Sequence, residues 1–310
     1  MASLYPSAER KETAVSAPGA TFVCAGSARW ARTACAVAAG AFLLAVAGCG
    51  PDRETYVTDE RLDHGLVVSL DGVGGLNWGT RWLRKGLDEA GVKAAIVIYD
   101  WSKGPGGMFV GDLMDASRNR AVAQDLARTV STYTAAMPER PVTLIGHSGG
   151  AAVVVWALEA MPERCQVDRV VLLAPALTPD YDLSPALARV AKRMYVMHSP
   201  ADVGLMAAGT AVFGTMDGRH SVSAGLKGFE VPAEVADRRQ YAKVRQVRWT
   251  PDLVKSGHLG GHMGWTTTRF ARDFLAPILK GRRDPGRPMV TLRPSATASR
   301  PADREARSAE

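Results

Sequence analysis

One stretch of the chain, residues 142–160, constrains the possible folds more than any other. A short apolar run ending at Ile145 predicts a buried strand, the sequence Gly-His-Ser-Gly-Gly follows at 146–150, and an Ala- and Leu-rich helix is predicted from Ala151 onward. A serine at the apex of so sharp a turn has strained backbone angles, and only small residues fit two positions before and two positions after it. The turn therefore predicts that the hydroxyl of Ser148 is held clear of the sheet, near the positive end of a helix.

The rest of the chain alternates strand-like and helix-like segments. Apolar runs predict strands at 65–70, 94–99, 167–173, 192–197 and 243–249, and helices are predicted at 78–90, 118–136 and 267–280. Runs that are apolar at every position, rather than at alternate positions, are typical of a parallel sheet that is covered on both faces. Residues 101–115 are predicted to form a long loop.

A glycine-rich segment, Asp71-Gly72-Val73-Gly74-Gly75, follows the first of these strands. A dinucleotide-binding loop is not favoured there, because Asn77 occupies the position of the third glycine in such loops. No acidic residue follows a later strand at a suitable position for binding a ribose either.

The order of these features resembles that of the α/β-hydrolase superfamily: a glycine-rich loop, a Gly-x-Ser-x-Gly turn, an Asp-containing turn, a His-containing loop and a closing helix. The resemblance covers residues 62–280 and implies a single α/β-hydrolase domain. It implies a mostly parallel central sheet with helices on both faces and little or no cap domain. It also implies that Ser148 is the nucleophile and that the N–H groups of Val73 and Gly149 stabilise the oxyanion.

The acid and the base are expected after later strands. A serine hydroxyl becomes nucleophilic when a histidine removes its proton, and a carboxylate fixes the tautomer of that histidine. The turn His-Ser-Pro-Ala-Asp at 198–202 resembles the H-G-x-x-D turn of the superfamily, with Ser199 in place of glycine, so Asp202 is the predicted acid. A helix N-cap is the purely structural alternative for this aspartate. The alternative carboxylates are Asp180, Asp182 and Asp252.

Two of the six histidines, His258 and His262, lie between the last strand and the last helix, where the superfamily carries its base. His262 is favoured, because it is nearer to the final helix and two glycines before it would let its loop reach Ser148. His258 is the alternative base, and His220 is less suitably placed. The i, i+4 spacing of the two late histidines also suits a metal site on a helix, but glycines separate them and no third ligand is evident. Neither a metal nor a cofactor is therefore predicted.

The predicted function is hydrolysis of an ester-like bond in a small molecule, through an acyl-enzyme. Carboxylic esters, thioesters and amides all suit this chemistry, and the absence of a large cap favours an activity like that of esterases and lipases. Two alternatives remain open: a non-catalytic binding lipoprotein with the same fold, and a metal-dependent hydrolase that uses His258 and His262.

The N-terminal segment resembles a bacterial export signal. Arg29 and Arg32 precede an apolar run that is too short and too rich in Gly and Ala for a membrane-spanning helix. This run ends in Val-Ala-Gly-Cys, which resembles a lipoprotein box and implies cleavage before Cys49 and attachment of lipid to that cysteine. Residues 1–48 are then an extension with a signal peptide, and 49–61 are a linker. The expected location is the cell envelope, on a membrane, or outside the cell if the signal is of the ordinary cleaved type.

The net charge of +7 belongs largely to the two ends of the chain. Residues 1–48 carry +2 and residues 281–310 carry +3, so a nucleic-acid partner is not favoured, and the question of protein partners stays open. Residues 281–310 are rich in Arg, Pro, Ser and Ala and are predicted to be disordered. Apart from Cys49, the body contains a single cysteine, Cys165, so no disulfide framework is expected.

Overall fold

A parallel sheet organises the molecule. The computed structural model describes residues 51–104, 108–202, 214–235 and 237–291. Within these ranges seven strands form one sheet in the order β2-β1-β3-β4-β5-β6-β7, and all neighbours are parallel except β6 and β7. The strands are β1 Leu66–Leu70, β2 Ala95–Ile98, β3 Val142–His147, β4 Val167–Leu173, β5 Val190–His198, β6 Val244–Arg248 and β7 Arg287–Pro288. The mostly parallel sheet predicted from the apolar runs is confirmed.

Helices connect the strands. They are α1 Pro51–Tyr56, α2 Asp59–His64, α3 Trp78–Glu89, α4 Met108–Met114, α5 Ala116–Ala136, α6 Gly149–Ala160, α7 Ser184–Leu187, α8 Ala224–Lys227, α9 Thr268–Phe270 and α10 Ala276–Leu279. A π-helical turn, Ala271–Leu275, joins α9 to α10, and 3-10 helices occur at Arg238–Lys243, Pro251–Ser256 and His262–Thr266. Local chemistry sets some boundaries: the carboxylate of Asp115 accepts the N–H of Arg118 at 3.1 Å and so caps the start of α5.

Alternate residues of the central strands face opposite apolar layers. Val68 of β1 and Leu144 of β3 pack in one layer with α5 and α6. Val67 and Ile145, their neighbours in sequence, pack in the other layer with α3 and the closing helical segment at 268–279. Because both faces are buried, each of these side chains contributes about 1.5–3 kcal/mol on transfer from water, which explains why the strands are apolar at every position.

Two predictions about connecting segments need correction. The region 101–115, predicted as a loop, contains α4, and the buried carboxylate of Asp112 on that helix accepts the main-chain N–H of Lys103 at 2.9 Å. The segment 49–61, predicted as a linker, contains α1 and the start of α2. A side-chain cap by Thr58 and the burial of Leu62 hold α2 against the domain.

The predicted disorder after residue 280 is wrong for residues 281–291. The strand β7 pairs with β6 in antiparallel fashion, and the N–H of Met289 donates to the carbonyl oxygen of Val244 at 3.4 Å. Main-chain pairing, the hydrogen bond from the hydroxyl of Tyr195 to Asp284 at 2.9 Å and the packing of Met289 and Val290 against the core order this segment, although it has few apolar side chains. The rest of the predicted tail, the predicted signal peptide and Cys49 lie outside the described residues. Within the described ranges, no helix has the length and hydropathy needed to cross a bilayer.

Candidate active site

Ser148 lies in the turn between β3 and α6, at the carboxyl edge of the sheet. Its backbone angles are φ 53° and ψ −120°, a region that residues with a side chain rarely occupy. Three main-chain hydrogen bonds hold it there: its N–H donates to Leu173 at 2.8 Å, and its carbonyl oxygen accepts from Ala151 at 3.1 Å and from Ala176 at 3.2 Å. The strained serine predicted from the sequence spacing is therefore present in the fold.

Small residues surround the turn because there is no room for larger ones. A Cβ atom added to Gly146 would lie 2.5 Å from the Cα of Ala151. A Cβ atom on Gly150 would lie 2.3 Å from the carbonyl oxygen of Asp71. Contacts this short do not occur in folded proteins, so both glycines are steric requirements of the turn.

His262 and Asp202 form a buried hydrogen-bonded pair. Asp202 lies in the turn after β5, and His262 begins the second of the two 3-10 helices that follow β6. His262 Nδ1 is 2.6 Å from Asp202 Oδ2, and the two residues are only 7% and 2% exposed. An imidazole that donates from Nδ1 to a carboxylate keeps the lone pair of Nε2 free to accept a proton.

The His262 ring lies beside the serine turn. Its centroid is 4.6 Å from that of His147, the residue directly before Ser148, and His147 Nε2 is 3.3 Å from the carbonyl oxygen of His262. In the described part of the chain, Ser148 Oγ and His262 Nε2 share no hydrogen bond. Such bonds are often long in unliganded enzymes and tighten when substrate binds.

The surroundings of His262 favour its neutral form. Burial lowers the pKa of this imidazole, and the hydrogen bond to Asp202 opposes the effect only in part. The positive charge of a protonated His147 would also lower the pKa of His262. A neutral imidazole is the state that a general base needs.

His258 has a different environment. Its ring packs edge-on against Trp265, with centroids 3.9 Å apart, and its Nδ1 accepts the N–H of Gly260 at 2.9 Å. Burial lowers the pKa of His258 to about 4, and its Nε2 has no hydrogen-bond partner among the described residues. This histidine is thus a packed part of the apolar layer, without a carboxylate hydrogen bond.

The loop after β1 brings main-chain N–H groups close to the serine. A Cβ atom on Gly72 would lie 3.3 Å from the Cβ of Ser148, and one on Gly149 would lie 3.0 Å from Cγ1 of Val73. The N–H of Val73 has no hydrogen-bond partner among the described residues. Gly149 is the first residue of α6, where N–H groups have no partner within the helix.

Some contacts at the site were missed from the sequence. Ser199, noted only as a departure from glycine, donates from its hydroxyl to the carbonyl oxygen of Gly260 at 2.7 Å and so ties the Asp202 turn to the His262 loop. Asp71 and His147 also form a pair, with Nδ1 3.3 Å from Oδ1. The positions of Asp71 beside a glycine loop and of His147 inside the serine turn were the available signals.

The other candidates lie in different surroundings. Each alternative carboxylate contacts a side chain other than a late histidine: Asp180 pairs with Arg219, Asp182 with Tyr241 and Asp252 with Lys255. His220 is exposed. Among the residues that the structure describes, no group of three or more His, Cys, Asp or Glu side chains is arranged to hold a metal ion.

A protein-family model described as "Serine aminopeptidase, S33" matches residues 64–221, just over half of the chain. The chain belongs to this family of α/β-hydrolases. It is therefore a hydrolase with the α/β-hydrolase fold. Both the superfamily and the fold predicted from the sequence are confirmed. The matched range includes Ser148 and Asp202 and ends before His258 and His262.

Several solved structures are similar to this chain, at low identity. A dienelactone-hydrolase-like promiscuous phosphotriesterase from metagenomic libraries is 17% identical, with a TM-score of 0.44 over 70% of this chain and 86% of that one. Aspergillus fumigatus lipase B is 16% identical, with a TM-score of 0.45 over 74% of this chain; the match spans only 55% of the lipase. Trichoderma reesei cutinase is 13% identical, with a TM-score of 0.35 over 84% of this chain and 93% of the cutinase. No protein of curated function matches the sequence.

Proposed function

We propose that this protein is a serine hydrolase that cleaves ester-like bonds in small molecules through an acyl-enzyme. Ser148 is the nucleophile, His262 is the base, and Asp202 orients the imidazole. The N–H groups of Val73 and Gly149 bind the oxyanion. The observation that carries the proposal is the buried 2.6 Å contact between His262 and Asp202, beside a serine in a strained turn.

Each step assigns a defined task to these groups. His262 Nε2 takes the hydroxyl proton as Ser148 Oγ attacks the carbonyl carbon, and the two N–H groups stabilise the negative oxygen that develops. The tetrahedral intermediate collapses, and the protonated His262 gives its proton to the leaving alkoxide. Water then attacks the acyl-enzyme with the same base, which regenerates the serine and releases the acid.

The choice of His262 over His258 is supported by their environments. His262 has a carboxylate hydrogen-bonded at Nδ1 and lies against His147 of the serine turn. His258 is buried against Trp265, and its Nδ1 is already occupied by a main-chain N–H. Of the two late histidines, His262 is the one that has both a carboxylate at Nδ1 and a ring contact with the serine turn.

The decisive experiment compares Ser148→Ala, His262→Ala and the double variant in ester hydrolysis. Residues that act as a unit give nearly the same loss singly and together, so we expect each of the three to lower kcat by about 10⁴-fold or more. His258→Gln is the matched control and should retain most turnover when folded. Loss of activity on chelation, with Ser148→Ala still active, would instead favour the metal-dependent alternative.

Substrate class can be tested in the same preparation. p-Nitrophenyl esters of increasing acyl length report esterase or lipase-like activity. Amino-acid p-nitroanilides test the aminopeptidase activity named in the description of the matching family. A folded protein whose Ser148 is not labelled by a fluorophosphonate would favour the non-catalytic binding lipoprotein.

We also propose that the protein is exported and anchored to a membrane of the cell envelope through lipid on Cys49. The support is the sequence: a basic region, an apolar run and a Val-Ala-Gly-Cys ending. Mass spectrometry of the mature N-terminus tests it. A lipidated Cys49 is expected, and Cys49→Ser should release the protein from the membrane fraction; an unmodified N-terminus at another residue would indicate an ordinary cleaved signal.

A further inference from the structure

Two buried carboxylates bind the N–H groups on either side of Val73. Asp71 Oδ1 accepts the N–H of Gly72 at 2.8 Å, and Asp112 Oδ2 accepts the N–H of Gly74 at 3.0 Å. The two aspartates, called here the clamp carboxylates, are 8% and 0% exposed. Of the three consecutive N–H groups of Gly72, Val73 and Gly74, that of Val73 is the one without a partner among the described residues.

Each clamp carboxylate is fixed to a different part of the fold. Asp71 Oδ2 also accepts the N–H groups of Gly79 and Thr80, at 2.9 and 3.4 Å, at the start of α3. These bonds tie one side of the Val73 loop to a helix whose other side packs in the apolar layer. A loop held at this end cannot rotate its peptide groups without breaking charge-assisted hydrogen bonds.

Asp112 holds the other side of the loop to the segment after β2. Its carboxylate accepts the N–H of Lys103 at 2.9 Å and the hydroxyl of Ser102, and its carbonyl oxygen accepts from Asn119 at 2.6 Å. The same segment lies against the loop, because a Cβ atom on Gly75 would be 2.8 Å from the Cα of Gly104. The loop is therefore held between α3 on one side and the α4 region on the other.

Two negative charges near an oxyanion would oppose catalysis unless a neighbouring cation or hydrogen-bond donor offset each of them. Arg118 lies 3.4 Å from Asp112, and His147 lies 3.3 Å from Asp71. Burial alone would raise the pKa of Asp71, but the hydrogen bond and charge of His147, with the N–H groups of Gly72 and Thr80, bring it below the ordinary range. The balance keeps Asp71 ionised and able to accept these bonds.

We propose that Asp71 and Asp112 are positioning residues that orient the N–H of Val73 toward the oxyanion of the reaction. The inference rests on the proposed serine hydrolase function. Neither aspartate is hydrogen-bonded to Ser148 among the described residues; both bind the main chain of the loop, and Asp71 also contacts His147. Asp112 therefore acts through the loop alone, so Asp112→Asn separates loop orientation from any effect on the histidines. Removing either charge lets the peptide groups around Val73 reorient, so the loss falls on transition-state binding and spares ground-state binding of the substrate.

The test uses Asp71→Asn and Asp112→Asn in the full chain, with Asp168→Asn as the matched control. Asp168 also accepts a main-chain N–H, that of Val142 at 2.9 Å, and also pairs with a cation, Lys192 at 2.6 Å, but at the opposite edge of the sheet. We measure kcat and KM on a p-nitrophenyl ester, the inhibition constant of an alkyl trifluoromethyl ketone, and hydrogen exchange of peptides covering residues 71–77.

Both clamp variants should lower kcat about 10- to 100-fold, which is less than the loss expected from deleting an oxyanion donor. KM should stay within about threefold of its original value. Affinity for the trifluoromethyl ketone, whose tetrahedral adduct needs the same N–H groups, should fall by the same factor. Exchange at 71–77 should become faster. Asp168→Asn should change exchange at the start of β3 and leave kcat within about twofold.

Unchanged kcat in a folded clamp variant overturns the proposal, whether or not loop exchange rises. A loss confined to KM overturns it as well. If the unmodified protein turns over no ester and its serine is not labelled, the proposed function fails on that measurement alone. Hydrogen exchange at residues 71–77 then decides separately whether the two aspartates hold the loop. Unchanged exchange in both variants would refute that role. Thermal melting shows whether each variant is folded. Asp71 follows β1 and Asp112 lies on α4, so a folding defect in one variant leaves the other as a test.

Discussion

The substitution Asp202→Asn removes the charge behind His262 and keeps the shape of the side chain. The pair is almost inaccessible to water, and Nδ1 and Oδ2 are 2.6 Å apart. In the transition state the imidazole becomes positively charged. Opposite unit charges about 4 Å apart attract by about 4 kcal/mol at an effective dielectric constant of about 20, which corresponds to about 10³-fold in rate. Loss of tautomer control adds up to about another tenfold, so kcat should fall by about 10³- to 10⁴-fold.

The measurement is stopped-flow release of p-nitrophenol from an ester, with the burst reporting acylation and the steady state reporting turnover. Melting temperature and the His258→Gln variant serve as controls for folding and for a general effect of altered histidines. The carboxylate supports the charged form of His262, so without it the pKa of the imidazole falls further and high pH cannot restore the rate. A folded Asp202→Asn protein with kcat within tenfold of the unmodified enzyme at pH 8 would refute the assignment of this acid.

Two further predictions concern protonation. Burial lowers the pKa of His262, so the acid limb of the pH profile of kcat should have its midpoint below the ordinary histidine value of about 6.5. Activity should be lost only as pH falls through that lowered pKa. A midpoint above about 7 in ester hydrolysis would contradict this prediction. The pKa of His258 is about 4 in the fold and about 6.5 in the unfolded chain. The unfolded chain therefore binds the proton first as pH falls, and the free energy of unfolding should decrease by up to about 3 kcal/mol between pH 7 and pH 4. Urea unfolding across this range should show a flatter pH dependence for His258→Phe, while the exposed His220→Phe control keeps the original slope.

Local steric rules made the serine turn and the central strands predictable. Gly146 and Gly150 are dictated by contacts within a few residues of Ser148 or with the neighbouring strand, and the apolar runs record burial on both faces of the sheet. The sequence also narrowed the base to His258 and His262. What separates these two is burial and partners, which depend on the packing of Trp265 and on the position of Asp202.

The features that were missed depend on contacts between distant parts of the chain. Asp71 and His147 are 76 positions apart, and although each lies in a segment that the sequence marks as part of the site, neither segment indicates that the two side chains form a pair. The strand β7 forms through main-chain pairing in an Arg- and Pro-rich segment, so hydropathy gives no sign of it. The helix α4 lacks a charged first turn, and its ordering through Asp112 requires the β2 segment to be in place.

The two short helices that begin the described chain limit how far the domain can move from Cys49. Pro51, the first residue of α1, is two positions after that cysteine, a span of about 7 Å at full extension. The end of α1 is held as well, since Arg84 of α3 lies 4.2 Å from the ring centre of Tyr56. If Cys49 carries lipid, the domain has almost no flexible linker to the membrane. It must then work against the bilayer surface, and its substrates must diffuse to it.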